Sequence, residues 1–182
     1  MVFGGIPYYW DLIDNDLSLA QNIDKLFFKE NGQLHDEHQL LFKSLFSSTG
    51  HHREVIEALY RKRIGMQRKE IASVTKINDG KTLTSTLEEL CECGFIRSYE
   101  NYETKKYNKF YQIIDPFLLF VHGFLLNNKF DSWTFFIDTP SFYNWKGQAF
   151  EIVCLNHISA IENALGISGV ATKEFSWKSK KK

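Results

Sequence analysis

Proline is scarce in this chain, at three in 182 residues, so long linkers are not expected and closely packed helices and sheet are. Cysteine is scarce too. Cys91, Cys93 and Cys154 are odd in number and show neither C-x-x-C nor a Cys/His pattern with metal-site spacing, which fits a reduced, cytoplasmic compartment. An excess of one charge is missing: 22 basic residues stand against 22 acidic, so no global field draws the whole chain to nucleic acid or a membrane surface. The most apolar stretch, Phe117 to Leu126, is far short of the roughly 20 residues a bilayer-spanning helix needs. Met1 to Trp10 lacks both the basic region and the apolar run of a signal peptide.

What is present is apolar and aromatic. Hydrophobic residues make up 43% of the chain, with sixteen Phe and eight Tyr, enough to bury the core of one domain or two small ones. Charge is distributed unevenly: positions 1–50 hold three basic and seven acidic residues, whereas 51–114 hold twelve basic and nine acidic, a local balance of +3. Any attraction to phosphates therefore belongs to the second stretch.

In the N-terminal stretch, Gly4, Gly5 and Pro7 argue against a regular helix over Met1 to Trp10, and Phe3, Ile6, Tyr8 and Trp10 call for an apolar surface to cover. Ser18-Leu19-Ala20-Gln21 matches a capping box and opens a helix with Leu19, Ile23, Leu26 and Phe27 on one face, ending at Asn31-Gly32. A second helix, about His35 to Phe46, has Leu40, Leu41, Leu45 and Phe46 as its stripe. His51-His52, beyond the linker Ser47 to Gly50, is an adjacent pair that a helix points to different sides, and it reads as solvated.

Three amphipathic segments follow, Arg53 to Ile64, Arg68 to Lys76 and Lys81 to Cys93. Val55, Ile56, Leu59 and Tyr60 form the inner face of the first, Ile71 and Ala72 of the second, and Leu83, Leu87 and Leu90 of the third. Gly65 and Gly94 end the first and third. Cys91 and Cys93 read as small buried hydrophobes. Two alternating segments, Phe95 to Tyr102 and Tyr107 to Ile114, are joined by the polar turn Glu103-Thr104-Lys105-Lys106. Three helices and a hairpin in that order make a winged helix-turn-helix, a fold that commonly binds DNA and also serves as a docking module. Gly80-Lys81-Thr82 resembles the end of a phosphate-binding loop, but the required first glycine is Thr75 and no strand precedes it.

Asp115-Pro116 then starts a helix that runs to about Asn127, with a capping carboxylate and proline at the first helical position. An aromatic connector, Lys129 to Asp138, leads to a second Thr139-Pro140 start and a long helix to Leu165, with Phe142, Trp145, Ala149, Val153, His157 and Ile161 at helical spacing. Val170, Thr172, Phe175 and Trp177 read as a strand. The fold class expected is mainly α with a small β-hairpin (α+β). The expected domains are a helical lid-like segment at 1–50, the winged helix at 51–128, and the opening part of an α/β domain at 129–182.

These pieces resemble the region downstream of the nucleotide-binding core in a prokaryotic family of AAA-type ATPases. Gly4 to Tyr9 (GGIPYY) and Ser18 to Phe28 (SLAQNIDKLFF) look like that family's helical lid. Trp145 to Cys154 (WKGQAFEIVC) and Gly166 to Val170 (GISGV) look like the start of a restriction-endonuclease-like domain. The resemblance implies that Glu151 would be a helix-borne metal carboxylate in a complete nuclease. Here one Glu cannot hold and activate a divalent ion alone, so neither metal nor cofactor is expected, and the chain reads as no enzyme.

Two functions follow. The first is a non-catalytic regulatory or interaction module of such an ATPase, meeting an ATPase core, another protein or a second copy through aromatic surfaces. The second is a stand-alone winged-helix transcriptional regulator. DNA contact in either would use Lys81, Thr82, Thr84 and Ser85 at the start of the third helix, Arg97 on the next strand, and Lys105, Lys106 and Lys109 of the wing. Glu88, Glu89 and Glu92 oppose it farther along that helix. No membrane partner is expected.

Overall fold

The structure, a computed structural model, describes residues 2–4, 6–100, 109–126 and 130–172. It divides into two compact units, Met1–Thr49 with Asp115–Val153, and Gly50–Ile114 with Cys154–Lys182. The protein is mainly α-helical with one small antiparallel sheet. Positions 115–126, placed with the winged helix from sequence, group instead with 1–49. The reason is aromatic packing: Phe117 and Phe120 lie 6.0 and 5.2 Å from Phe27, ring centre to ring centre.

In the first unit a short helix, α1 (Pro7–Asp11), forms where glycine and proline argued against one. Pro7 occupies the first turn, where its missing N–H would have no partner anyway. Tyr9 is the side chain it buries; of the residues expected to be covered, Phe3 is buried as expected, whereas Ile6, Tyr8 and Trp10 are exposed. Helix α2 (Leu19–Ile23) opens with the expected capping box, Gln21 N donating to Ser18 Oγ at 3.3 Å and Ser18 N to Gln21 Oε1 at 2.8 Å. It runs into a π-helical turn, Asp24–Phe28, that buries Leu26, Phe27 and Phe28. That wider turn moves the buried stripe toward the C-terminal end, and Leu19 is left 64% exposed. In α3 (Glu37–Leu45) the stripe is partly displaced: Phe46 is buried as expected, but Leu40 and Leu45 are exposed and Phe42 is buried with Phe46. Those two rings, four residues apart, meet edge to face at 5.5 Å and remove more apolar area than the leucines would.

Asp115 caps α7 (Pro116–Phe120) as expected, accepting from Leu118 N at 2.7 Å. A second π-helical turn, Val121–Leu125, follows. Trp133 heads a 3-10 turn whose N–H donates to the Asp24 carboxylate, and α8 (Pro140–Asn156) contributes Trp145, Ala149 and Ile152 to the core. Phe124 stands edge to face with Trp133, Phe136 and Trp145 at 4.9, 5.1 and 5.6 Å, a geometry that favours the ring quadrupoles.

The expected helix from 140 to 165 is two helices, because His157 (φ −120°, ψ 25°) interrupts it before α9 (Ile158–Ala164). No residue of α9 is buried. Val170 and Thr172 lie outside any strand, and Phe175 and Trp177, which completed the expected one, lie outside the described residues.

The second unit begins with α4 (Gly50–Arg61), three residues earlier than the amphipathic pattern suggested, and buries Val55, Ile56, Ala58 and Leu59. A two-residue strand, β1 (Met66–Gln67), precedes α5 (Arg68–Thr75) and α6 (Lys81–Glu92). Leu83, Leu87 and Leu90 of α6 are buried as their spacing requires. Strands β2 (Ile96–Glu100) and β3 (Lys109–Ile113) pair antiparallel from Ile96↔Ile113 to Glu100↔Lys109, and β1 adds to the other side of β3 through Met66↔Tyr111. The order is β1-β3-β2. Gly65 has φ +95°, and a Cβ there would lie 2.9 Å from Tyr111 O, so only glycine lets the chain enter β1. Cys91 is half-buried, but Cys93 is exposed, contrary to its reading as a buried hydrophobe, because it follows the last turn of α6.

Candidate interface on the second unit

The residues proposed to meet DNA fall into separate environments. Lys81 and Thr82 are exposed at the start of α6. Gly80 gives the helix no side-chain cap, and Arg68 fixes the preceding turn, its Nε donating to Asp79 Oδ1 at 2.5 Å and a terminal nitrogen to Gly80 O at 2.9 Å. The hydroxyls of Thr84 and Ser85 are turned back on the helix: Thr84 donates to Gly80 O and Ser85 to Thr82 O, both at 3.1 Å. Each is half-buried, which leaves less of it for a ligand.

Arg97 is held within the sheet. Its guanidinium donates twice to Gln112 Oε1, at 3.1 and 2.9 Å, and sits 5.2 Å from the Tyr99 ring centre. Gln112 passes the link on, donating through Nε2 to Arg63 O at 3.0 Å. The register pairs Arg97 with Gln112 and Glu100 with Lys109, so strand alternation puts Arg97 and Lys109 on opposite faces of the sheet. Lys105, Lys106 and the turn that carries them lie outside the described residues.

The basic clusters are paired locally. Arg61 donates to Glu57 Oε1 at 2.5 Å, Lys62 pairs with Glu70, and Arg68 with Asp79. Arg63 lies 4.6 Å over the Tyr60 ring and donates to its hydroxyl at 2.6 Å. Farther along α6, Glu88, Glu89 and Glu92 are all exposed and make its second half acidic. Glu89 also reaches His52, whose Nε2 is 2.8 Å from Glu89 Oε2.

His52 is 6% exposed, which corrects its reading as one of a solvated pair; only His51 is at the surface. The signal was present in the sequence, because His52 falls three residues before Val55 and four before Ile56, on the buried arc of α4. A shallow groove between α4 and α5, lined by Glu54, Glu57, Ala58, Arg61, Val74 and Thr75, gave no such signal. It joins side chains from two helices, and only Val74, apolar but exposed, hints at it.

Burial pushes both Cys91 and Cys93 above the usual thiol range, and neighbouring glutamates push the same way. Glu151 is exposed on α8, and among the described residues no group of three or more His, Cys, Asp or Glu side chains is placed to hold a metal ion. The described residues therefore do not fit the divalent metal of a nuclease. No described helix is long and apolar enough to cross a membrane. Compared with family models, curated proteins and solved structures, the chain matches none.

Proposed function

We propose that the Gly50–Ile114 stretch is a winged helix-turn-helix acting as a non-catalytic regulatory or interaction module, within a protein resembling the AAA-type ATPases. The order helix, strand, two helices, two strands and the sheet order β1-β3-β2 support the winged-helix reading. The observation that carries the interaction role is the local pairing of the basic clusters. Arg61, Lys62, Arg68 and Arg97 each engage a neighbour in the same unit, and the outward side of α6 turns acidic beyond Ser85. A groove-reading helix would set those carboxylates against phosphates, which repels rather than releases counterions.

A second reading, a DNA-binding transcriptional regulator, rests on one feature: Lys81 and Thr82 are exposed at the start of α6, where a recognition helix meets bases. Titration of duplex DNA across salt concentration separates the two. The interaction module binds with Kd weaker than roughly 10⁻⁴ M even at low salt and without a log-log salt slope. A tighter Kd that rises steeply with salt, and binding that weakens on Lys81→Glu, overturn the interaction reading in favour of the regulator.

A further inference from the structure

We propose that helix α8 is the contact by which two copies of this chain pair, side by side and pointing the same way. The helix is apolar on two opposite faces. Trp145, Ala149 and Ile152, spaced four and three residues apart, are buried in the first unit. Tyr143 and Phe150, on the other side, are 51% and 63% exposed. A helix that is apolar all round belongs in an interior, and this one is covered on one side only.

The outer face has the form of a seam. Tyr143, Gly147 and Phe150 follow one another at four and three residues, the spacing of the positions at which two helices meet. Glycine weakens a helix interior, yet a Cβ at Gly147 would meet nothing within 4 Å, so the packing of the chain gives no reason for it. Against a second helix it leaves a gap for the flanking rings. Tyr143 is already fixed for this, its hydroxyl donating to Asp138 Oδ1 at 2.8 Å.

Charge makes the occupant a second copy. Lys146 precedes the seam and Glu151 follows it five residues on, both exposed. In a parallel pair these flanking positions meet, Lys146 of one copy against Glu151 of the other, and the two-fold axis makes the contact twice. An antiparallel pair would set lysine against lysine and glutamate against glutamate. Among the described residues neither takes part in an ion pair. Lys146 Nζ instead lies 5.2 Å from the Tyr143 ring centre, which holds its charge at the edge of the seam.

Sedimentation equilibrium of the full chain at increasing concentration tests the pairing. A reversible monomer–dimer equilibrium of the weak class is expected, because two rings a copy cover less than the roughly 1,200 Å² of a standard interface. Phe150→Ser and Gly147→Gln alter exposed positions, so the far-UV circular dichroism of the monomer should stay as it is while affinity falls about tenfold or more. Glu151→Lys should weaken pairing about threefold or more, and Lys146→Glu/Glu151→Lys, which exchanges the two charges, should restore it. Leu40→Ser, at an exposed leucine of α3, should change nothing. A chain that stays monomeric up to about 1 mM overturns the proposal and leaves the face to a different partner. So does an equal loss from Leu40→Ser, or an exchanged variant that pairs no better than Glu151→Lys. Every substituted residue lies in the first unit, so failure here leaves the reading of Gly50–Ile114 to the DNA titration.

Discussion

Replacing Asn22 by alanine should unfold the first unit more easily than any single helix cap in it would suggest. Asn22 is 1% exposed and staples the loop before α2. Its Oδ1 accepts from Asp14 N at 2.8 Å, and its Nδ2 donates to the carbonyls of Asp14, Leu17 and Ser18 at 2.9, 3.2 and 3.1 Å. Backbone donors remain for two of those carbonyls after truncation, Leu17 N for Asp14 O and Asn22 N for Ser18 O. Asp14 N and Leu17 O lose the partner described here. Orphaning two part-buried groups at about 1–3 kcal/mol each, with water reaching one of them, gives roughly 2–4 kcal/mol. Urea denaturation followed by tryptophan fluorescence suits the question, since Trp10, Trp133 and Trp145 all lie in this unit. The comparison is Ser18→Ala, which removes the α2 cap and should cost about 1 kcal/mol. If Asn22→Ala lowers the midpoint no more than Ser18→Ala does, the staple is not what holds the loop.

Two further changes probe other parts of the fold. Burial pushes the Asp115 carboxyl above the usual carboxylate range, outweighing the backbone N–H bonds that pull it down. A raised folded pKa means stability that is fully present below the unfolded value of about 4 and is lost as pH rises through the folded value. Asp115→Asn keeps a capping oxygen without the charge, so its stability relative to wild type should climb between acid and neutral pH in thermal melts; a constant difference refutes this. In the second unit, Gly65→Ala should cost about 1–3 kcal/mol in thermal unfolding by far-UV circular dichroism, because it adds left-handed strain and a contact with Tyr111 O. An unchanged melting curve would show that the entry to β1 tolerates a side chain.

Where caps and periods agree, the fold was legible from the residues. Ser18 with Gln21 and Asp115 with Pro116 each combine a local bond with a buried face, the Leu83-Leu87-Leu90 series has the buried face alone, and all appear as read. Strand β1 was not legible, because two residues are too few to show alternation and only the pairing with β3 makes them a strand. Ile23, Leu26, Phe27 and Phe46 are buried as read, but Leu19, Leu40 and Leu45 of the same stripes are exposed for another reason. A π-helical turn and a phenylalanine pair decide which side is inward, and both are properties of packing rather than of spacing. At the candidate interface the sequence named single side chains and could not show their partners. Arg97 reads as a free cation in sequence, yet its partner Gln112 lies fifteen residues away across a strand pairing.

The sheet order also dictates when the sheet of the second unit can form. Strand β3 lies between β1 and β2, so neither outer strand has a neighbour until Lys109–Ile113 is in place. As the chain leaves a ribosome from its N-terminus, α4, α5 and α6 can form and meet through short-range contacts while Met66 and Gln67 wait for Tyr111 and Phe110. Until that long loop closes, the apolar sides of Met66 and Ile96 are open to wrong strand partners. The sheet of this unit thus depends on the last of its three strands along the chain, and α4, α5 and α6 all precede that strand.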